Sequence, residues 1–401
     1  MKSDSSLPKL LNIAQKHEHR IIGVMSGTSL DGVDLALVKF ATHGKKFSFD
    51  VEFFTTVPYP SPLKKLLHEQ MLEHTANVRS ICSVHQDLGL FLGEVIAAQL
   101  QQWDVSPHEV DCIASHGQTI YHLPHGTRWD GAPLKATLQI GDGDQIAVKT
   151  GIITISDFRV KDIAYGGDGA PLIPYADYLL FGQREESLVL HNLGGISNLT
   201  FLPGQGKTEG ILAFDTGPAN VLINLAVEHC VDPTLAFDPE GKLAAEGKTS
   251  TPLLKRMLEH PFFQQHPPKS TGREAFGYAY LQEVLQWSEA RNLDTRDLLA
   301  TLTMLTARSI QIAYDTFLPS RNLTAYFSGG GAHNLTLMQN IQQCLPTCKI
   351  LPFENLGLST DSREAVSFAL FAHELLTGRT VTFPGITGNS SFTTLGKISI
   401  P

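Results

Sequence analysis

Short apolar runs rich in β-branched residues alternate along the chain with longer stretches whose apolar positions recur at helical spacing, and glycine-rich breaks separate them. RIIGVM (20–25) and VDLALVKF (33–40) read as two strands joined by a polar turn, with FSFDVEFFTTVPY (47–59) following as a third. Residues 62–102 carry the helical period, as in SICSVHQDLGLFLGEVIAAQLQQW, and VDCIASHGQTI (110–120) returns to a strand that ends in a polar turn. A second series starts at GIITISDFR (151–159): a glycine-rich loop (164–181), SLVLHNLGGISNLTFL (187–202), GILAFDTGPANV (210–221), and a long helical region over 219–315. It closes with the strand LTAYFSGGGAHN (323–334), a helix, the short strand KILPF (349–353) and the helix SREAVSFALFAHELL (362–376). Strands interleaved with helices in two series predict an α/β protein of two lobes, the second repeating the plan of the first.

The expected division is a polar lead over 1–20, an N-terminal α/β lobe over 21–155 completed by 385–401, and a C-terminal α/β lobe over 156–384. At 401 residues and 42% apolar content the chain is long enough for two cores. Lys+Arg 31 against Asp+Glu 40 gives a net charge of -9 with no polybasic run, which points away from nucleic acid and from an anionic membrane surface. Five scattered cysteines without a CxxC pair argue against a disulfide framework or a zinc site and suit a reducing cytoplasm. The charged start is unlike a signal peptide, and no run of about 18 apolar residues occurs.

Against this acidic background an anion would have to be bound locally, by backbone. GVMSGTSLDG (23–32) supplies Gly27, Thr28, Ser29 and Gly32 in a turn whose N–H groups can converge on a phosphate; an ordinary polar hairpin is the competing reading. Asp31 belongs there only if a cation or its waters stand between it and the phosphate oxygens. HNLGGISNL (191–199) repeats the device with Asn192, Gly194 and Gly195, although Gly-Gly also serves a tight hairpin through positive φ. In FSGGGAHN (327–334), Gly329, Gly330 and Gly331 bare the backbone to a flat ligand such as an adenosine, with Asn334 behind them. FDTGPAN (214–220) ends a strand on Asp215, with Gly217 and Pro218 turning the chain away: a positioned carboxylate suited to general-base chemistry, or a helix N-cap. The acids and guanidinium of SDFRVKDIAYGGDGAPLIP (156–174) read either as a solvated salt-bridge set or as a hinge and sugar-facing loop around Asp168 and Gly169. His116, Gln118 and Thr119 of HGQT, with Arg273 of STGREAF, are the neutral donors and single cation that a polyhydroxylated ligand bearing a carboxylate would use. Glu364 reads locally as a favourable first-turn acid.

In this order MSGTSLDGVD, SHGQT, QIGDGDQIA, DFRVKDIA, GGDGAPLIP, NLGGISN, FDTGPAN, PPKSTGREAF, SGGGAHN and TLGKI resemble the blocks of the anhydro-N-acetylmuramic acid kinases, from about residue 21 to the C-terminus. That family sits in the actin, hexokinase and sugar-kinase superfamily, so the resemblance implies two actin-like, ribonuclease H-like lobes around a central cleft. It implies that the two glycine hairpins embrace the phosphates of ATP with hydrated Mg2+, that SGGGAHN receives the nucleoside, and that the partners are ATP and an anhydro sugar, with a homodimer as a further expectation. Asp215 corresponds to the catalytic base, and Glu364 to a sugar contact, with Asn220 beside them. The implied reaction hydrolyses the 1,6-anhydro bridge while O6 takes the γ-phosphate. Three positions depart from the family pattern: Asp168 in place of Gln, Ala219 in place of Gly, and Asn224 in place of an acid. Asp168 is expected to oppose a muramic carboxylate by its charge. Levoglucosan as the sugar, or a non-catalytic nucleotide-gated binding protein, are the alternatives that these departures leave.

Overall fold

The computed structural model describes residues 6–43, 46–290, 292–320, 322–383 and 385–401. The expected polar lead therefore has its first five residues outside the description, and Ser6–Ala14 is a helix. The chain forms two compact units, one running up to Leu179 and resuming over Asp361–Pro401, the other comprising Leu180–Thr360.

In the first unit, β1 (Glu18–Ser26), β2 (Val33–His43) and β3 (Lys46–Val57) form an antiparallel meander. β4 (Cys112–Thr127) then pairs parallel with β1, continuing beyond its expected end at 120 as a hairpin with β5 (Pro133–Ile140), and β6 (Thr154–Ser156) pairs parallel with β4. In the second unit, β7 (Leu188–Leu193), β8 (Ile196–Leu202) and β9 (Leu212–Pro218) repeat the meander, followed by β10 (Thr324–Ser328) parallel to β7 and β11 (Lys349–Pro352) parallel to β10. The last strand, β12 (Lys397–Ser399), returns to the first unit and pairs antiparallel with β6. The first sheet runs β3-β2-β1-β4-β6-β12 with β5 branching from β4, and the second runs β9-β8-β7-β10-β11, so the two share a core of an antiparallel meander extended from its first strand by parallel strands, which is the ribonuclease H-like plan.

Strand β1 shows why the first sheet is covered on both faces. Ile22 and Val24 join a core with Leu88, Leu92 and Ile96 of the helix Val78–Gln102, whose apolar seam recurs every fourth residue. That helix is long and apolar enough by composition to cross a bilayer, but its Val84, Leu88, Leu92, Ile96 and Leu100 are buried in this core. On the opposite face Gly23 lies under the helix Arg363–Leu376, where a Cβ would collide with the Ala365 carbonyl. Ala365, Val366 and the run from Phe368 to Ala372 are all fully buried. A helix apolar nearly all round must be covered, and it is covered by β1, β2 and β4. The expected change of lobe at 156 and return at 385 therefore fall inside the first unit instead: β6 belongs to its sheet, and the 363–376 helix packs on that sheet.

In the second unit, Val189, Leu193 and Phe327 pack against Ala307, Ile310 and Tyr314 of the helix Thr295–Phe317, with Leu337 and Ile341 completing the cluster. The region read as one long helical stretch is broken, with helices at Asn220–Cys230, Thr251–Leu258, Tyr278–Glu289 and Thr295–Phe317 among its elements, enclosing a second apolar cluster. The break at 259–277 supplies the segment that meets Asp215. All five cysteines are free thiols.

Because Gly23 sits in direct contact with helix backbone, Gly23→Ala is expected to push the 363–376 helix off the sheet and to cost about 1–3 kcal/mol, the usual range for overpacking. Urea unfolding of the variant beside the parent chain measures it.

Candidate functional site

The polar groups singled out from the sequence gather in two places, one in each unit. In the first, β1 and β2 pair as far as Ser26 and Val33, and the turn between them runs over residues 27–32. Leu30 anchors it: its side chain is 2% exposed within the core although its φ is 56, a left-handed backbone that an ordinary residue adopts only when its surroundings enforce it. Its N–H donates to the Gly27 carbonyl at 3.2 Å, and no other N–H of Gly27–Gly32 makes a hydrogen bond. Thr28 and Ser29 stand exposed with their hydroxyls free. A fixed turn with several free donors is the arrangement expected of an anion-binding concavity. Beneath it Ser26 Oγ contacts Tyr59 Oη at 2.6 Å and donates to Gln118 Oε1. Gln118, expected to meet a ligand, is fully buried, and its Nε2 donates to the Thr119 carbonyl at 3.1 Å. It is a strut between β4 and the turn.

His116 is likewise interior. Its Nδ1 lies 2.9 Å from the Gly117 carbonyl, which fixes the proton there, and Nε2 accepts from Arg159 Nε at 2.8 Å. Burial, with the Arg159 charge, pushes its pKa down to about 3. Thr119 Oγ1 accepts from Gln139 Nε2 at 3.1 Å.

Arg159, read as part of a solvated set, is the hub of this region. It donates also to the Gly169 carbonyl at 2.9 Å, and its charge opposes the upward shift that desolvation imposes on Glu364. Glu364 is itself exposed, at the start of the 363–376 helix. Asp162, fully buried, accepts from the Gly169 N–H at 2.8 Å, Thr387 Oγ1 at 2.9 Å and Asn389 Nδ2 at 3.1 Å, and so fixes the glycine loop. Asp168 is paired with Lys135 at 2.6 Å, so the negative charge expected to repel a carboxylate has its own counter-ion. The i, i+3 placement of Arg159 and Asp162 on one helical turn was the available signal for this network.

In the second unit the β7–β8 turn, the β10 exit and a helix N-terminus interlock. Leu193 pairs with Ser197 across the turn. The Gly194 carbonyl accepts from Asn220 N–H (3.1 Å) and that of Gly195 from Ala219 (2.9 Å) and Val221 (3.0 Å), so the turn caps the helix Asn220–Cys230. Asn220, expected at the sugar, donates from Nδ2 to the Leu193 carbonyl at 3.0 Å. Neither Gly194 nor Gly195 has positive φ, so the tight-hairpin explanation does not hold, and neither N–H makes a hydrogen bond. Gly329 (φ 82) lies so close that a Cβ would stand 2.5 Å from Asn192 Oδ1 and 2.8 Å from the Leu193 carbonyl, and Gly330 is exposed with its N–H unpaired. Asn334 is the N-cap of the helix Leu335–Cys344, accepting from Leu337 N–H at 2.9 Å, and is 7% exposed. Residues 192–195 and 329–331 therefore form one bare-backbone surface, with Asn220 and Asn334 beneath and behind it.

Asp215 lies on β9, opposite Asn198, immediately before a bulge at Thr216. It caps no helix: the 220–230 helix begins after Ala219, and Gly217 and Pro218 continue the strand. Two backbone groups clasp it, its N–H donating to the Lys269 carbonyl at 3.1 Å and its Oδ2 accepting from Thr271 N–H at 2.8 Å. Desolvation raises its pKa to about 6 against the Thr271 hydrogen bond; Glu274 adds to the rise and Lys269 opposes it. A half-buried carboxylate held on a strand and titrating near neutrality is suited to removing a proton. Arg273 is exposed at the start of a short helix in the same segment and forms no ion pair with a described carboxylate.

A family model described as anhydro-N-acetylmuramic acid kinase matches residues 19–401. The chain belongs to the anhydro-N-acetylmuramic acid kinase family. It is 39% identical to the anhydro-N-acetylmuramic acid kinase of Caldanaerobacter subterraneus subsp. tengcongensis over 98% of this chain and 100% of that protein. It is 40% identical to the one from Pseudoalteromonas translucida, over 98% of both chains, and 36% identical to the one from Salinibacter ruber, over 98% and 99%. Among solved structures it is similar to the activator of the 2-hydroxyisocaproyl-CoA dehydratase from Clostridium difficile with bound ADPNP (8% identity, 90% of this chain, 96% of that one, TM-score 0.40). A hexokinase from Schistosoma mansoni complexed with glucose is another (10% identity, 89% and 86%, TM-score 0.37).

Under the second glycine turn of this anhydro-N-acetylmuramic acid kinase family member runs a buried polar chain that the sequence did not disclose. Thr216 Oγ1 donates to Ser197 Oγ at 2.7 Å, and Ser197 Oγ in turn lies 2.7 Å from His191 Nε2. The His191 ring stacks on Phe327, centroids 4.8 Å apart, and burial pushes its pKa down to about 3. In the unfolded chain a histidine titrates near 6.5. This share of stability is complete above that value and is lost as pH falls towards the folded value, because only the unfolded chain takes up the proton. His191→Phe keeps the ring contacts and is expected to reduce the loss of stability between about pH 7.5 and about pH 5.5 by about 1.4 kcal/mol, read from urea unfolding of both chains.

Proposed function

We propose that the protein transfers the γ-phosphate of ATP to O6 of 1,6-anhydro-N-acetylmuramic acid while water opens the anhydro bridge, giving N-acetylmuramic acid 6-phosphate and ADP in the recycling of cell-wall sugar. Membership of the family along 19–401 supports the reaction class and the sugar, and the descriptions shared by the relatives speak against both levoglucosan and a non-catalytic binding protein. The observation that carries the chemistry is the clasped Asp215 carboxylate.

Asp215 takes a proton from water as the water oxygen bonds to the anomeric carbon. The bond from that carbon to O6 breaks, O6 bonds to the γ-phosphorus, and ADP leaves; the proton on Asp215 passes to solvent. One carboxylate then serves where glycosidases use two. The free donors at Gly27–Ser29 and at Gly194 and Gly195 suit the phosphates, and the exposed face at Gly329 and Gly330 suits the nucleoside. Arg273, unpaired, is the cation available to a sugar carboxylate, and Glu364 is available to its hydroxyls. His116, Gln118, Thr119, Asn220 and Asn334 act by holding these surfaces in shape.

Magnesium fits the first unit as a hydrated ion. Burial raises the pKa of Asp34 against a hydrogen bond from Thr56, and the charges of Asp361 and Asp31 add to the rise, a surplus of negative charge that a divalent cation relieves. No three described His, Cys, Asp or Glu side chains converge to ligate an ion directly, so Asp31 and Asp34 would hold it through its waters. When bound it neutralises charge on the phosphates.

Asp215→Asn is expected to lower kcat on the order of a hundredfold or more and to abolish the acid limb of the rate profile, because the base works only when ionised. Phosphorylation of each sugar, with Asp215→Asn as control, measures both. Absence of product from anhydro-N-acetylmuramic acid, or turnover of the variant within a few-fold of the parent, overturns the proposal.

A further inference from the structure

The segment that clasps Asp215 contains a lysine in an unusual setting. Lys269 is 8% exposed, and its Nζ lies 4.6 Å from the ring centroid of Phe262, 5.2 Å from that of Phe317 and 5.9 Å from that of Phe214. Its single hydrogen bond runs to the Phe262 carbonyl at 3.3 Å, and it makes no ion pair with any described carboxylate. An ammonium group taken from water into such a place is costly unless something compensates. Three ring faces supply part of that compensation. The negative charge of Asp215, acting at a distance, supplies more.

We propose that Lys269 is the positioning residue of Asp215: the caged ammonium pins the backbone that clasps the carboxylate, and its charge lies where it favours the ionised form of that carboxylate. The inference rests on Asp215 as the base. Two features separate this lysine from a core residue that happens to carry a charge. The carbonyl of Lys269 itself accepts the Asp215 N–H, so side-chain anchor and clasp are one residue. Phe214, one ring of the cage, is the neighbour of Asp215 on β9, so cage and carboxylate share a strand.

The other ionisable groups around the pair are few. Glu274, in the short helix Arg273–Phe276, works against ionisation of Asp215. His266 lies against the edge of Phe317, and His260 against Phe263 and Phe276. From β8 the residue opposite Asp215 is the neutral Asn198. Among the described residues Lys269 is therefore the cation whose charge favours the ionised carboxylate, with Glu274 opposing it.

The test uses the full chain and pH profiles of kcat and kcat/KM with ATP, Mg2+ and anhydro-N-acetylmuramic acid. Lys269→Met is expected to move the acid limb upward by about half a unit or more and so to lower kcat about threefold or more on the acid side of the limb, with recovery on the alkaline side. KM for ATP is expected to stay within about threefold, since Lys269 touches no nucleotide surface, and Lys269→Arg is expected to return the limb towards the parent position. A folded Lys269→Met chain with an unmoved limb overturns the inference. If that chain does not fold, Phe262→Leu removes the nearest ring and keeps the ammonium; it is expected to move the limb the same way by less and to raise the labelling rate of Lys269 by trinitrobenzenesulfonate, and an unmoved limb again counts against the idea. Asp215→Asn separates the two readings. A limb that survives in that variant defeats the base assignment, whereas a limb that vanishes there but stays in place in Lys269→Met defeats only the role of Lys269.

Discussion

Two hydrogen bonds, from Asp215 N–H to the Lys269 carbonyl and from Thr271 N–H to Asp215 Oδ2, fix where the carboxylate proposed as the base stands. Neighbouring parts of the second unit hold those two groups. The bulge at Thr216 re-aims the strand, the Thr216 hydroxyl ties it to Ser197, and the 259–277 segment is drawn in by Phe262, Phe263 and Phe276 of the apolar core. A carboxylate on a strand cannot drift as one on a loop can, and its ionised form is favoured by the Thr271 N–H and by the Lys269 charge. Geometry and charge are thus set by the same short contacts.

The repeated sheet plan explains why each unit has a glycine turn available. In both, the first two strands of the meander are joined by a short loop, and the first strand is the central one, buried on both faces. Its end is flanked by a paired strand on each side, and the turn follows directly from it. The two turns are held differently. At 27–32 a buried leucine in a left-handed conformation pins the loop; at 194–195 the carbonyls are engaged by a helix N-terminus. In both cases unpaired N–H groups remain, which is the property an anion requires.

Much of this was legible in the residue pattern. The meanders, the paired glycine turns, the strand-borne Asp215 and the ordered motifs all depend on local sequence, and local sequence determines turns and strand ends. What escaped notice depends on partners far apart in the chain. Gln118 reads as a ligand-binding amide until β1 and β4 pair and bring Ser26 to it. Asn220 and Asn334 read the same way until the helices that they serve are in place. His191 and Lys269 look like an ordinary strand histidine and a solvated lysine, because nothing nearby in sequence announces that aromatic rings from distant segments enclose them. The unit boundary was misplaced for a related reason: the 363–376 helix follows the second series in order but packs on the first sheet.

The Lys135–Asp168 pair has a consequence for how this loop can change through descent. Lys135 also donates to the Gly166 carbonyl at 2.8 Å, so a single ammonium steadies the loop and balances its acid. Exchanging the acid alone for an uncharged amide strands a cation beside the loop, and exchanging the lysine alone strands an anion. Because both side chains are more than a third exposed, either exchange costs little stability, and a chain that carries one partner without the other would present a differently charged rim to whatever approaches it.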